Sequence, residues 1–253
     1  MNALSIASLT VACTFTCAWV GTLIRSRLPE SHLRQESQDV VRLGMGLVAT
    51  MTALLLGLVT AGAKGTFDSQ DAAIRAAAVN ILTLDRLLAR YGPDAAPIRE
   101  QLRQALALRI QETWEQADGA APAPRANQGP PRAEAIQDAI LALTPVTEAQ
   151  RWYRAEALGL TQDVVKTRWR MLSTSVGAVP RAFLTVVIFW LMATFASFGL
   201  YAPRNLTVLG VLFVASISVG AAVFLILELD GPLTGLIRIS SEPLRYALQM
   251  IGR

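Results

Sequence analysis

The sequence predicts an all-α integral membrane protein. Four transmembrane helices follow a 2 + 2 order, with an extended helical soluble domain inserted between the second and third and an amphipathic helix at the C-terminus. Three observations lead there. Residues 3–24, 43–63, 182–201 and 206–229 hold no Asp, Glu, Lys, Arg or His apart from Glu228 at the end of the last run. Charge-free runs of about 20 residues match the length a helix needs to cross hydrocarbon, where every backbone N–H and C=O must be satisfied internally. A hydrophobic fraction of 53% and mean hydropathy of +0.40 coexist with 17% charged residues, because the charge is confined almost entirely to 25–42, 64–181 and 228–253. Finally, apolar residues in the polar middle recur at helical spacing, and no stretch reads as a strand pair.

The first membrane pair occupies 1–63, with a polar loop at 25–42. Met1, Asn2 and Ala3 carry no side-chain charge ahead of the apolar run, so it reads as a retained span rather than a cleaved leader. Cys13 and Cys17 lie four apart on one face of this span, a spacing that implies packing rather than a disulfide framework or metal site. In the loop, His32 is the one histidine of the chain, with Glu30 and Asp39 near it in sequence. A single His makes no metal site alone; His32 and Asp39 are loop candidates, for an interface contact or for a pH-sensing role within the histidine titration range.

The second span carries Gly46, Thr50, Ala53, Gly57, Thr60 and Lys64 on one helix face, with Leu47, Met51, Leu54, Leu55 and Leu58 around the rest. Two readings stand. Small residues let membrane helices approach closely. The same stripe also suits a pore lining, with hydroxyls and exposed backbone as weak polar contacts and Lys64 biasing the mouth towards anions.

The soluble insert spans 64–181. Asp68 and Asp71 suit the first turn of a helix carrying Ile74, Ala77, Ile81, Leu84 and Leu88, which stops at Tyr91–Gly92–Pro93. A second helix is expected over 94–117, with Leu102, Leu106, Ile110 and Trp114 on one stripe. Residues 118–132, rich in Pro, Gly and Ala, form a linker. A short helix follows at 133–144, ending before Pro145, and a longer one at about 147–175 with Trp152, Leu158, Val165, Trp169 and Leu172. The stripes are narrow and Ala-rich, so the insert is not expected to build a large core of its own. They pack within one subunit or between subunits.

The second membrane pair spans 182–229. Its end places Glu228 and Asp230 at a helix C-terminus, opposing the helix dipole. A salt link to Arg238 or to another helix, or an ion site, answers that arrangement. The segment 230–253 has Leu233, Leu236, Ile237, Leu244, Leu248 and Ile251 among Arg238, Glu242 and Arg245. It is amphipathic and too polar to span, so it lies on the membrane surface or docks on the insert.

Basic residues near membrane ends number more on the insert side (Lys64, Arg75, Lys166, Arg168, Arg170, Arg181, Arg238, Arg245) than opposite (Arg25, Arg27, Arg34, Arg42, Arg204). The positive-inside rule therefore puts the insert and both termini in the cytoplasm. No catalytic constellation, phosphate loop, nucleophile motif or metal-ligand set stands out, so no enzyme, cofactor, metal or nucleic-acid partner is expected.

The stretches LPESHLRQESQDVVRLGMGLVATMTALLLGLVTAGAK, NILTLDRLLARYGP, FASFGLYAPRN and LILELDGPLTGLIRISSEPLR resemble the bacterial bestrophin-like domain family, over nearly the whole chain outside 118–132. That resemblance implies more distant similarity to bestrophins, which have four membrane helices, a cytoplasmic helical domain, and a pentameric ion channel lined by the second helix. It further implies a bacterial inner-membrane location, a homo-oligomer and an inorganic ion as partners alongside the lipid bilayer. The chain departs from bestrophins in having no aromatic neck residues in 43–63 and no long acidic cluster after Pro232. Gating and calcium dependence therefore do not carry over, and Leu or Met residues are left to form any constriction.

Overall fold

The computed structural model describes residues 2–25, 27, 29, 35–115, 132–174, 181–203, 205–233 and 235–252. Among them every regular element is helical: α1 (Ala3–Arg25), α2 (Gln35–Tyr91), α3 (Ala96–Ile110), α4 (Arg132–Leu141), α5 (Glu148–Thr174), α6 (Arg181–Tyr201), α7 (Leu206–Asp230) and α8 (Glu242–Met250). A 3-10 turn at Pro93–Ala95 precedes α3, and a π-helical turn at Gln111–Glu115 follows it. Among the described residues, four helices are long and apolar enough to cross a bilayer: α1, α2, α6 and α7. Of the linker expected at 118–132, residues 118–131 lie outside the described residues, as does the loop candidate His32, and Arg132 opens α4.

Two compact units emerge, one of residues 1–66 and 177–231, the other of 67–176 and 232–253. The boundary corrects one expectation. Asp68 and Asp71 do not open a new helix, because α2 runs unbroken for 57 residues. Mid-helix, Asp71 instead accepts from Arg75 Nε at 2.9 Å, the i,i+4 pairing that stabilises a helix surface.

In the first unit α1 packs on both α6 and α7. The approach is close enough to exclude side chains. A Cβ on Gly199 would sit 1.9 Å from the Ala18 carbonyl oxygen, and one on Gly21 would sit 2.3 Å from that of Ala196. Gly220 of α7 similarly lies against Val11 and Ala7. Buried hydroxyls in these helices donate to their own backbone: Thr14 Oγ1 to Thr10 O at 2.8 Å and Ser216 Oγ to Leu212 O at 2.9 Å. These hydroxyls then need no partner from lipid. Asn205 caps α7, its side chain accepting from Val208 N at 2.8 Å. Arg25 Nη1 donates to the Ala202 carbonyl.

The second unit has a contiguous apolar core, which the narrow stripes of the insert build together with the C-terminal segment. Ile74, Ile81, Leu84 and Leu88 of α2 meet Ile98, Leu102, Leu106 and Ile110 of α3, with Ile136 and Ile140 of α4 and Ala157 of α5. What the stripes lack singly they gain by converging from several helices and from the C-terminal segment, which adds Ile239, Leu244, Ala247 and Ile251. That segment is helical only at Glu242–Met250, shorter than the stretch read as amphipathic. Trp114 Nε1 donates to Ile239 O at 2.8 Å and ties it to the end of α3.

The turn between α2 and α3 follows from two residues. Gly92 adopts φ +126°, which a side chain disfavours, and Pro93 supplies no N–H and forbids a helical residue before it. Across this turn Asp85, fully buried, takes a bidentate pair from Arg99: Nε to Oδ1 at 2.7 Å and Nη2 to Oδ2 at 3.0 Å. The bonded carboxylate in turn holds the Arg99 guanidinium above its ordinary pKa.

Two outcomes are expected. Gly199→Ala destabilises the detergent-solubilised protein by about 1–3 kcal/mol, as overpacking does, whereas Gly57→Ala, whose Cβ meets nothing within 4 Å, leaves the melting temperature unchanged or raised. Arg99→Ala strands a buried carboxylate and costs roughly 3–5 kcal/mol of unfolding free energy; the Asp85→Leu/Arg99→Met pair costs clearly less in the same denaturation assay.

Candidate functional site on the second helix

The apolar segment of α2 differs from the other three spans in how little of it the chain covers. Between residues 38 and 66 only Thr52 and Ala63 are buried, and half-buried Val48, Ala49, Leu55, Leu56 and Val59 share their face. The predicted stripe lies elsewhere on the helix. Gly46, Thr50, Ala53, Gly57 and Lys64 are exposed and Thr60 is half-buried. A Cβ on Gly46 or Gly57 would meet no atom within 4 Å. Leu43, Leu47, Met51, Leu54 and Leu58 flank the stripe and are exposed as well.

The small residues of this stripe are therefore not spent on packing inside one chain. The glycines that are so spent, Gly21, Gly199 and Gly220, were missed by sequence reasoning. A signal was available for the first two: Thr14, Ala18 and Gly21 on α1 recur at four and three residues, and Ala193, Ala196 and Gly199 on α6 at three.

The stripe hydroxyls donate back along the helix, Thr50 Oγ1 to Gly46 O at 2.9 Å and Thr60 Oγ1 to Leu56 O at 2.7 Å. With the donor used internally, the oxygen lone pairs are what such a hydroxyl offers outward. Thr52 and Thr66 do the same, to Val48 O at 2.7 Å and Gly62 O at 3.2 Å. Repeated back-bonding lets a Thr-containing segment stay helical in an apolar medium.

The other candidates lie outside this stripe. Glu228 is buried and Asp230 half-buried at the end of α7 in the first unit, where Gly231 N donates to Glu228 O at 3.3 Å. Arg238 belongs to the second unit and is exposed, its Nε donating to Gly235 O at 2.6 Å. Asp39 is exposed early in α2, 3.9 Å from Arg42. Cys13 and Cys17 are half-buried free thiols on α1. Among the described residues no group of three or more His, Cys, Asp and Glu side chains is placed to hold a metal ion.

In the second unit a shallow hollow of about 400 Å³ is lined by Pro145, Arg151, Arg154, Ala155 and Leu158. Its cations are occupied. Arg154 donates to the Ile140 and Leu141 carbonyls that end α4, at 3.2 and 2.6 Å, and Arg151 pairs with Glu148. Arg154 thus closes the end of α4 and Arg151 is held in an ion pair, rather than the two forming an anion cradle.

Comparison with known protein families matches residues 12–244 to the Bestrophin-like domain. No curated protein matches the chain, and neither does any solved structure. With the match running from within α1 to within α8, this membrane protein belongs to the bestrophin-like domain family.

Proposed function

We propose that the chain is one subunit of an oligomeric ion channel, an anion channel by the sign of Lys64, in which α2 lines the pore. The arrangement is the 2 + 2 order: membrane pairs at 1–63 and 182–229, a soluble insert at 64–181, and an amphipathic end at 230–253. Insert and termini face the cytoplasm of a bacterial inner membrane, as the basic-residue count favours. The observation that carries the reading is the open stripe on α2. Leucines on an uncovered helix are content in lipid, whereas a lysine closing a row of glycine and threonine is not. Several copies set around an axis would turn that row inward, where back-bonded hydroxyls and a cation line water. A pentamer is the stoichiometry that bestrophin resemblance implies. With no aromatic residue in 43–63, the flanking Leu and Met side chains provide the narrowest point.

The second reading is a non-conducting scaffold or sensor, in which the stripe packs α2 against α2 of another copy and the insert binds a cytoplasmic partner. The back-donation of Thr50 and Thr60 favours it, since their hydroxyl protons do not point at a passing ion.

Liposome reconstitution separates the two. Anion efflux down a gradient is expected, and Thr50→Leu should cut it by about tenfold, roughly 1.4 kcal/mol on the conduction barrier. Lys64→Glu should move the reversal potential towards cations. An intact oligomer that passes no ion under any gradient rules out the channel and leaves the scaffold.

A further inference from the structure

Below the apolar segment α2 carries a second uncovered face, in the second unit. Asp68, Ala72, Arg75, Val79, Thr83, Arg86 and Arg90 follow each other at three- and four-residue spacing, and all are exposed, Val79 at 61%. An equally regular exposed face runs along α5: Glu148, Trp152, Ala155, Gly159, Asp163 and Lys166. Trp152 is 57% exposed, and a Cβ on Gly159 would meet nothing within 4 Å.

We propose that the α5 face docks, antiparallel, on this α2 face of a second copy of the chain. The occupant is chosen by charge and shape together. Laid antiparallel with Gly159 opposite Val79, the two helices bring Asp163 opposite Arg75, Trp152 opposite Arg86 and Glu148 opposite Arg90. Lys166 falls one turn from Asp68. A single register thus pairs opposite charges at three places and sets a guanidinium over an indole. Ala155 and Gly159 leave a shallow trough into which Val79 fits as a ridge enters a groove. The matched stretch, residues 148–166, is about 27 Å long at 1.5 Å per residue.

Existing ion pairs do not oppose the contact. Arg75 with Asp71, Arg151 with Glu148 and Lys166 with Asp163 are surface pairs within one helix, worth little each and free to share a second partner. In chain order α2 leads away from the second apolar segment and α5 leads towards the third, an order that suits an antiparallel contact between copies inserted with the same sidedness. The contact joins two different faces, so it is heterologous and closes a ring when the rotation permits. The proposal deepens the oligomer reading above by naming the contact that would assemble it outside the membrane.

The test uses the full chain in detergent with Cys13→Ala and Cys17→Ala throughout. Two differently tagged copies are co-expressed, one carrying Val79→Cys and the other Gly159→Cys. Mild oxidation should link the two tags, while pairing Val79→Cys with Leu108→Cys on α3 should not. Separately, Gly159→Trp fills the trough while its own chain has room for the side chain. It should keep the helical circular dichroism and lose the high-mass species in light scattering, with Gly159→Ala retaining it. An oligomer that keeps its mass in Gly159→Trp and yields no link between tags overturns this contact and leaves the channel reading standing. A wild-type chain that is monomeric and unlinked overturns both.

Discussion

A peptide group in hydrocarbon has nowhere to turn but its own helix. That constraint orders the whole chain. It confines nearly all charge to three stretches, demands unbroken ladders in α1, α2, α6 and α7, and decides what each buried hydroxyl does. Thr10, Thr14, Thr194 and Ser216 all donate to a carbonyl four residues back. Once polar groups are settled within each helix, what remains to hold helix to helix is contact. In a medium as apolar as leucine, contact improves only when backbones come together. Gly21 and Gly199, each lying where the other helix's carbonyl passes, are the outcome.

The second unit solves a different problem. Its helices are Ala-rich, and each buries only a narrow stripe, so no pair of them excludes much solvent. The core works because several stripes meet at one place, with Ile239, Leu244, Ala247 and Ile251 sealing it from the far end of the sequence. A buried carboxylate in such a core must be matched. Asp85 is, by both nitrogens of Arg99, and the turn that permits the match depends on the backbone freedom of Gly92. Gln150 adds a tie of its own, donating from Nε2 to Tyr91 O at 3.1 Å and accepting from Val146 N and Thr147 N.

Legibility followed the strength of the underlying physics. Charge-free runs of membrane length have few alternative explanations, and all four lie in helices; α1, α6 and α7 end close to where expected, while α2 runs on well past its apolar segment. The break at Gly92–Pro93 was equally plain. Asp68 and Asp71 misled because an acid suits both a helix start and a mid-helix ion pair, and only the partner at Arg75 distinguishes them. The shared core of the second unit was hidden because it depends on residues 239–251, distant in sequence. For the candidate site, the stripe on α2 was visible as a pattern, yet its openness was not: a row of small residues reads the same whether another helix covers it or not. Gly46 and Gly199 look alike in the sequence and differ in their surroundings.

That difference between glycines has a consequence for how the protein can drift over generations. At position 199 the neighbouring carbonyl leaves no room for even a methyl group, so lineages should keep glycine there whatever the protein transports or binds. At 46 and 57 a single chain imposes no such veto. Invariance at those two places among its descendants would have to be enforced from outside the subunit, and free variation would mean that nothing presses against them.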